Sequence, residues 1–425
     1  MTNPGVSGNH SHNWELFAIL VAAIALRVVF VVTTLDRLPP DTDNYLAIGQ
    51  NLSTGQGYSI EPGVPTAFRP PGYPVFIALV RTALGSDWSV IALQCLMGAA
   101  VALIAALLAR SIAGDLFSLA AAVFVAIDPY QIAVCGMFMT EAFFTLLVIS
   151  TVALFLRSLR AAKPLRYAVA GLAAGAAAMT RPEFLVFIPG ALLIMVFAAQ
   201  PKRRVLCAAV FLVFCAVLPG GWAYRNHNAL GSWIVTTTHG GYTHRLAYNA
   251  VFYDEVATGN QEAWEGESLR EWQGRLKCEA EGISETKADA FNYKMASGFV
   301  AGDLERAMHV ALVEGGGLWR PYPLKAGTWQ QIALGGFFTI LATLAAVGVC
   351  VGRRRGPFAA LSLYLFGATT VVHMYYWSQL RMRIPFHPLL AVLAACGLAA
   401  FFGRRLHEAE PVRTLDTKQA YSPAT

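Results

Sequence analysis

The sequence predicts an all-α polytopic membrane protein, and three observations carry that prediction. Of 425 residues, 56% are hydrophobic and only 14% charged, with a mean hydropathy of +0.49, far from the profile of a soluble globular chain. The apolar residues gather in repeated stretches close to the roughly 20 residues a helix needs to cross a bilayer. Lys and Arg collect between alternate stretches, as they do in cytoplasmic loops.

Residues 1–13 are polar and lack the short apolar core and cleavage site of a removable signal, so they read as a cytoplasmic tail before a retained anchor. Ten apolar stretches follow: Trp14 to Leu35, Val90 to Leu108, Leu116 to Ile127, Ala142 to Leu156, Tyr167 to Met179, Phe184 to Ala199, Val205 to Trp222, Ile332 to Val351, Phe358 to Tyr375 and Pro385 to Phe402. Several are short, so about ten transmembrane helices are expected, some tilted or lengthened by their flanks. Both ends then lie on one side, with one membrane domain over 14–403 and a second cytoplasmic tail over 404–425.

Basic clusters fix that side. Arg157, Arg160, Lys163 and Arg166 share one loop, Lys202 to Arg204 another and Arg353 to Arg355 a third, while Arg404 and Arg405 follow the last stretch. All four fall on one face if there are ten spans, and that face reads as the cytoplasm. The net charge of +6 is then mostly topology, and a nucleic-acid partner has little support. Six of the seven cysteines sit in or beside apolar stretches and Cys278 stands alone in a polar segment, so neither a disulfide framework nor a cysteine zinc site is expected.

Two outer elaborations interrupt the membrane domain. Residues 36–89 carry turn formers and a short apolar run, Val75 to Leu84, read as a helix lying at the interface. Residues 224–329 are far more polar, with acids and bases alternating at helical spacing, read as a helical outer cap. No internal repeat of the transporter kind is visible.

Chemistry is expected in the first outer loop, where Asp41-Thr42-Asp43-Asn44-Tyr45 precedes Phe68-Arg69-Pro70-Pro71-Gly72-Tyr73-Pro74. Ionisable residues beside hydrocarbon are costly to place and tend to be functional. Plainer readings stand beside this one. Asp41 and Asp43 suit a helix cap near Asn44, and Glu141 suits a cap on the fourth helix. Arg381 and Arg383 suit interfacial anchors, and Tyr376 and Trp377 an aromatic belt. Arg181 and Glu183 are close enough for a local ion pair. His227, His239 and His244 match no standard ligand spacing.

Taken in order, Pro40 to Tyr45, Arg69 to Pro74, Met139-Thr140-Glu141-Ala142-Phe143-Phe144, Thr180-Arg181-Pro182-Glu183, Tyr224-Arg225-Asn226 and Tyr376-Trp377 through Arg381-Met382-Arg383-Ile384-Pro385 resemble the GT-C superfamily of membrane glycosyltransferases. The likeness is to the bacterial protein-mannosyltransferase-like branch that includes aminoarabinose transferases acting on lipid A, and it spans most of the chain. It implies a GT-C fold in a bacterial inner membrane, multi-pass, with the active site facing the periplasm or cell exterior. Asp41 and Tyr45 reproduce the spacing of the family's catalytic Asp and following Tyr. Thr42 replaces a family Glu while Asp43 adds a second acid. Arg69-Pro70 resembles a Lys-Pro element that reaches a lipid-linked phosphate, and Glu141 resembles an acid at the start of the fourth helix.

What this implies is an inverting transferase that moves a sugar from a polyprenyl phosphate within the membrane lipid to an envelope acceptor: lipid, glycan or protein. One carboxylate removes the acceptor proton as the bond to the anomeric carbon forms. The departing phosphate needs charge stabilisation, which suits Arg. Asp41, Asp43 and Glu141 are the catalytic candidates. Tyr45, Arg69, Arg225, Arg381 and Arg383 are the donor-phosphate candidates. No metal or other cofactor is expected, with a divalent cation at Asp41 and Asp43 or Glu141 the alternative. A transporter or flippase of a lipid-linked precursor is the competing class, but its polar residues belong near mid-membrane, whereas these gather at the outer ends. A noncatalytic envelope subunit is the third.

Overall fold

A computed structural model describes residues 7–161, 163–198, 201–259, 267–279, 281–351 and 356–402. The basic run Arg353 to Arg355, residues 1–6 of the first expected tail and all of the second, with Arg404 and Arg405, lie outside the described residues.

Each of the ten apolar stretches forms a helix: α1 (Ser7–Thr34), then, after α2 (Tyr45–Ser53) and α3 (Gly72–Leu84), α4 (Trp88–Ala113) and α5 (Asp115–Ile127). The short α6 (Pro129–Val134) leads to α7 (Glu141–Ala161), α8 (Pro164–Ala178), α9 (Phe187–Ala198) and α10 (Arg204–Leu230). The described residues between 240 and 318 include α11 (Gly240–Ala247), α12 (Ala250–Phe252), α13 (Glu267–Glu279), α14 (Glu285–Gly302) and α15 (Leu304–Leu318). The bundle resumes with α16 (Thr328–Val351), α17 (Gly356–Tyr375) and α18 (His387–Phe402). Seven helices among the described residues are long and apolar enough to cross a membrane. α5, α8 and α9, with 13, 15 and 12 residues, fall short of the roughly 20 needed, so they cover only part of a bilayer's thickness.

Small residues let these helices approach closely. A side chain added at Gly348 or Gly397 would run into the facing backbone of α18 or α16, the small-residue contact by which helices associate in lipid. α18 lies in the middle, buried continuously from His387 to Ala395. Arg27 is fully buried within α1, and its guanidinium donates to the carbonyls of Ala23, Val125 and Ala126 at 2.9, 3.0 and 3.1 Å. A buried charge in hydrocarbon persists only with such partners, so Arg27 ties α1 to α5.

The elements at the other end position the site. α2 and α3 pack on each other, and Asn44 enters α2 with φ +63°, a left-handed conformation that Asn tolerates better than most residues. The cap grips the first loop through Glu285, which accepts from Thr66 Oγ1 at 2.6 Å and the Ala67 amide at 2.9 Å and also bonds Thr238. Tyr376 and Trp377 also join the cap: Tyr376 shares a 2.9 Å hydroxyl bond with Tyr293, and the Trp377 amide donates to Thr243 O at 3.2 Å. Both residues thus dock against the cap, where α17 ends.

Candidate active site

The start of α7 organises the charged groups. An acid in a helix's first turn is favoured by the partial positive charge there, but the Glu141 carboxylate, 3% exposed, meets two arginines. Its Oε1 lies 3.3 Å from Arg181 and 3.6 Å from Arg381. Arg381 continues to Asp43 at 3.7 Å, and Asp43 pairs with Arg69 at 2.8 Å. Arg181 also pairs with Glu183 at 3.2 Å, and Glu183 accepts from His373 at 3.0 Å. Acid and base thus alternate from Arg69 to His373 across segments distant in sequence. Buried charges need such pairing to persist.

Arg381 is held in place by its neighbours. It sits in a 3-10 segment, Leu380–Phe386, that follows α17. Gln131 Nε2 donates to Ile384 O at 2.7 Å, and Asp128 Oδ2 lies 2.7 Å from His387 Nδ1. Asp128 Oδ1 also caps α6, accepting from Tyr130 and Gln131 amides at 2.9 and 3.3 Å. Gln94 fixes the loop before Glu141, donating to Cys135 O and Met137 O at 2.9 Å each.

Asp41 and Asp43 differ sharply. Asp41 Oδ2 accepts from the Ala47 amide at 2.8 Å, so it caps the first turn of α2 as one sequence reading held. Its Oδ1 is buried with no partner. Burial pushes the Asp41 carboxyl above its usual range, against the pull of the Ala47, Leu46 and Tyr45 amides, and neighbouring Asp43 adds to the rise. Asp43 carries the ion pairs instead. Arg69 Nε donates to Asp43 O at 2.9 Å and Nη2 to its carboxylate at 2.8 Å, leaving Nη1 outside both bonds. The guanidinium lies 5.1 Å from the Tyr45 ring centre and 5.0 Å from that of Phe68, within cation–π reach.

Two predicted phosphate ligands stand apart from this chain of charges. Arg225 donates to Thr66 O, Asn226 Oδ1 and Tyr58 O at 2.7, 2.9 and 3.1 Å, which ties α10 to the first loop. Arg383 is fully buried, bonding Leu318 O at 3.0 Å and Arg320 O, with its guanidinium 3.6 Å from the Phe338 ring centre. In a helix of three residues per turn, positions two apart point about 240° apart, so Arg381 faces the acids while Arg383 faces inward.

A cavity of about 300 Å³ opens beside this chain of charges, lined in part by Glu141, Arg381, Ser378, Glu314 and Arg320. Asp41 is not among its lining residues. Among the described residues no three His, Cys, Asp or Glu side chains converge as a metal site. The loop histidines are separate: His227 stacks on Trp233, His239 on Tyr242, and His244 on Tyr375 with its Nδ1 at 2.8 Å from the Tyr375 carbonyl. Burial and nearby Arg69 hold His239 well below the usual histidine range.

Residues 68–222 match the family described as dolichyl-phosphate-mannose-protein mannosyltransferase. That stretch includes Arg69, Glu141 and Arg181 but neither Asp41 nor Arg381. Over 96% of its length the chain overlays the oligosaccharyltransferase AglB of Archaeoglobus fulgidus, solved with an inhibitory peptide and a dolichol-phosphate, at TM-score 0.56 and 16% identity. The apo form gives TM-score 0.57 at 15% identity over 94%. The fold is of the GT-C type. The chain spans about half of AglB, 53% and 51% in the two comparisons. A looser overlay on ArnT from Cupriavidus metallidurans bound to undecaprenyl phosphate, TM-score 0.41 at 15% identity, covers 89% of this chain and 77% of ArnT. No curated protein matches the sequence.

Within this GT-C fold, three participants went unread in the sequence. Local spacing pairs Arg181 with Glu183 alone, yet it reaches Glu141 across 40 residues. His373 lies inside an apolar stretch that masks it. Glu314 falls in the polar 224–329 segment, where one acid among many gives no signal except the glycine run that follows it.

Proposed function

We propose that this protein is an inverting glycosyltransferase that moves a sugar from a polyprenyl-phosphate donor to an extracytoplasmic envelope acceptor. The observation that carries the reading is Arg381 between Asp43 and Glu141 at the edge of a cavity, with Arg69 on the far side of Asp43. Acids and arginines that alternate beside a cavity, largely withdrawn from solvent, stabilise a charge that appears during reaction. The placement we propose is a bacterial inner membrane, multi-pass, with this end facing the periplasm or cell exterior, and the Lys and Arg loops of the sequence support it.

Asp41 acts as general base. One oxygen is anchored on α2, the other is unengaged, and the raised basicity of a desolvated carboxylate favours proton abstraction. The acceptor oxygen forms a bond to the anomeric carbon as the carbon–phosphate-oxygen bond breaks. The electron pair leaves with the phosphate, the acceptor proton passes to Asp41, and the centre inverts. Asp43 positions Arg69, whose free Nη1 and neighbour Arg381 neutralise the departing phosphate. Tyr45 supports Arg69 from below through its ring. Arg225 and Arg383 shape the loop and the cavity wall from behind. A divalent cation does not fit this donor set: Asp43 and Glu141 already face Arg69, Arg181 and Arg381, and like charge would repel it. No step runs through a metal.

The test incubates purified protein with radiolabelled undecaprenyl phosphates bearing mannose, glucose, galactose or N-acetylglucosamine, together with membranes from cells lacking the protein. Transfer of one label to an envelope fraction is expected, with release of undecaprenyl phosphate. Absence of transfer from every donor, while the protein moves an intact lipid-linked sugar between leaflets of a vesicle, would establish the flippase instead.

A further inference from the structure

Glu314 has no part in the mechanism above, and its burial is unexplained by it. The side chain is 3% exposed on α15 and lines the same cavity as Glu141 and Arg381. Its Oε2 accepts from the Ser378 amide and can accept from the Ser378 hydroxyl, both at 2.7 Å. Its Oε1 has no partner, and no cation pairs with it among the described residues. A buried carboxyl with one oxygen unsatisfied is costly unless something else completes it. Arg383 ties the end of α15 at Leu318 to the 3-10 segment, and Gln131 holds Ile384 of that segment, so two sides of the cavity are joined by hydrogen bonds.

We propose that this cavity holds the donor's sugar ring and that Glu314 Oε1 hydrogen-bonds one of its hydroxyls, making Glu314 a specificity-determining residue. The inference rests on the transferase reading above. The geometry separates two tasks: Arg69 and Arg381 address phosphate, while Glu314 and Ser378, on the cap side, address the ring. A hydroxyl suits either state of the acid, donating to a carboxylate or accepting from a carboxyl. Burial pushes the Glu314 carboxyl up to about 8, opposed by its Ser378 bonds, so the proton-bearing form is available to donate at neutral pH. Sites that hydrogen-bond a substrate hydroxyl reject analogues lacking it strongly, because the buried group is left unpaired.

The experiment measures binding of the full-length protein in detergent to bare undecaprenyl phosphate and to undecaprenyl phosphates bearing mannose, glucose, galactose or N-acetylglucosamine. Wild type should bind one sugar-bearing lipid more tightly than the bare phosphate. Glu314→Met, similar in length without a polar group, should lower that preference about tenfold while binding of the bare lipid is unchanged. Glu314→Gln, whose amide keeps an oxygen for Ser378 and a donor for the ring, should restore most of it. A preference unchanged in Glu314→Met overturns the assignment. Should that variant not fold, monodeoxy forms of the preferred sugar on wild type decide: one position must cost about tenfold, and equal affinity throughout overturns it. Wild type that binds the bare lipid but no sugar-bearing lipid better removes the sugar from the cavity and leaves the donor reading standing. Wild type that binds none of these lipids overturns the donor reading and this inference together.

Discussion

The two ends of the bundle each carry a cavity and arginines, and they differ in what the arginines meet. At the far end a space of about 670 Å³ is lined by Leu108, Leu154, Arg157, Arg160 and Phe358 among others. Arg157 and Arg160 there are exposed, and Arg160 only grazes Ser111 at 3.4 Å. At the Glu141 end the space is less than half as large, yet Arg69, Arg181 and Arg381 are mostly withdrawn from solvent and each faces a carboxylate. Volume therefore does not mark the site. Charges cost little where water reaches them and much where it does not, so the smaller, charge-dense cavity is the one whose contents need a functional explanation.

That contrast is open to attack, and the largest effect is expected at Glu141. Glu141→Ala leaves Arg181 and Arg381 short of a buried partner, which should cost about 3–5 kcal/mol of stability. Thermal unfolding in detergent reads this, and a loss under about 1 kcal/mol would place the pair in effective contact with solvent. Arg69→Ala should weaken undecaprenyl-phosphate binding by about 1.5–3 kcal/mol, roughly ten- to a hundredfold, with partial recovery in Arg69→Lys. Unchanged affinity in the folded Ala variant would transfer the phosphate to Arg381. The pH dependence has a definite sign. A raised Asp41 pKa means the base is protonated, and lost, at higher pH than an ordinary aspartate near about 3.9. The acid limb of the transfer rate should therefore lie above that value, and a limb at or below it would contradict a desolvated base. The smallest effect belongs to the far end: Arg160→Ala should change stability by less than about 0.5 kcal/mol and leave donor affinity intact.

How much was legible in the sequence follows the same division. The ten apolar stretches are all helices because hydropathy acts locally, although α5, α8 and α9 prove too short to span alone. The Asp43–Arg69 pair was within reach of a sequence reading because one loop carries both residues, and so was the capping of α2 by Asp41. Arg381 beside Glu141 was readable only as a candidate, since nothing local states which helix ends meet. Arg383 looked equivalent to Arg381 because a run of alternating residues does not announce a 3-10 turn, which sends the two to different faces. Arg181, His373 and Glu314 went unread because their roles exist only across the assembled end of the bundle. Arg27 stood in plain sight within an apolar helix, but its partners are the carbonyls of α5, which no side-chain pattern reveals.

The most direct test of the account compares lipid-linked sugars extracted from cells making the wild-type protein with those from cells making Asp41→Asn at the same level in the same membrane. That substitution keeps the shape and an acceptor for the Ala47 amide while removing the base, so transfer should fall by about 10² or more. One polyprenyl-phosphate sugar should accumulate while an envelope component loses that sugar. A folded, membrane-inserted Asp41→Asn protein with wild-type lipids and a fully decorated envelope would contradict the carboxylate mechanism at this end of the bundle.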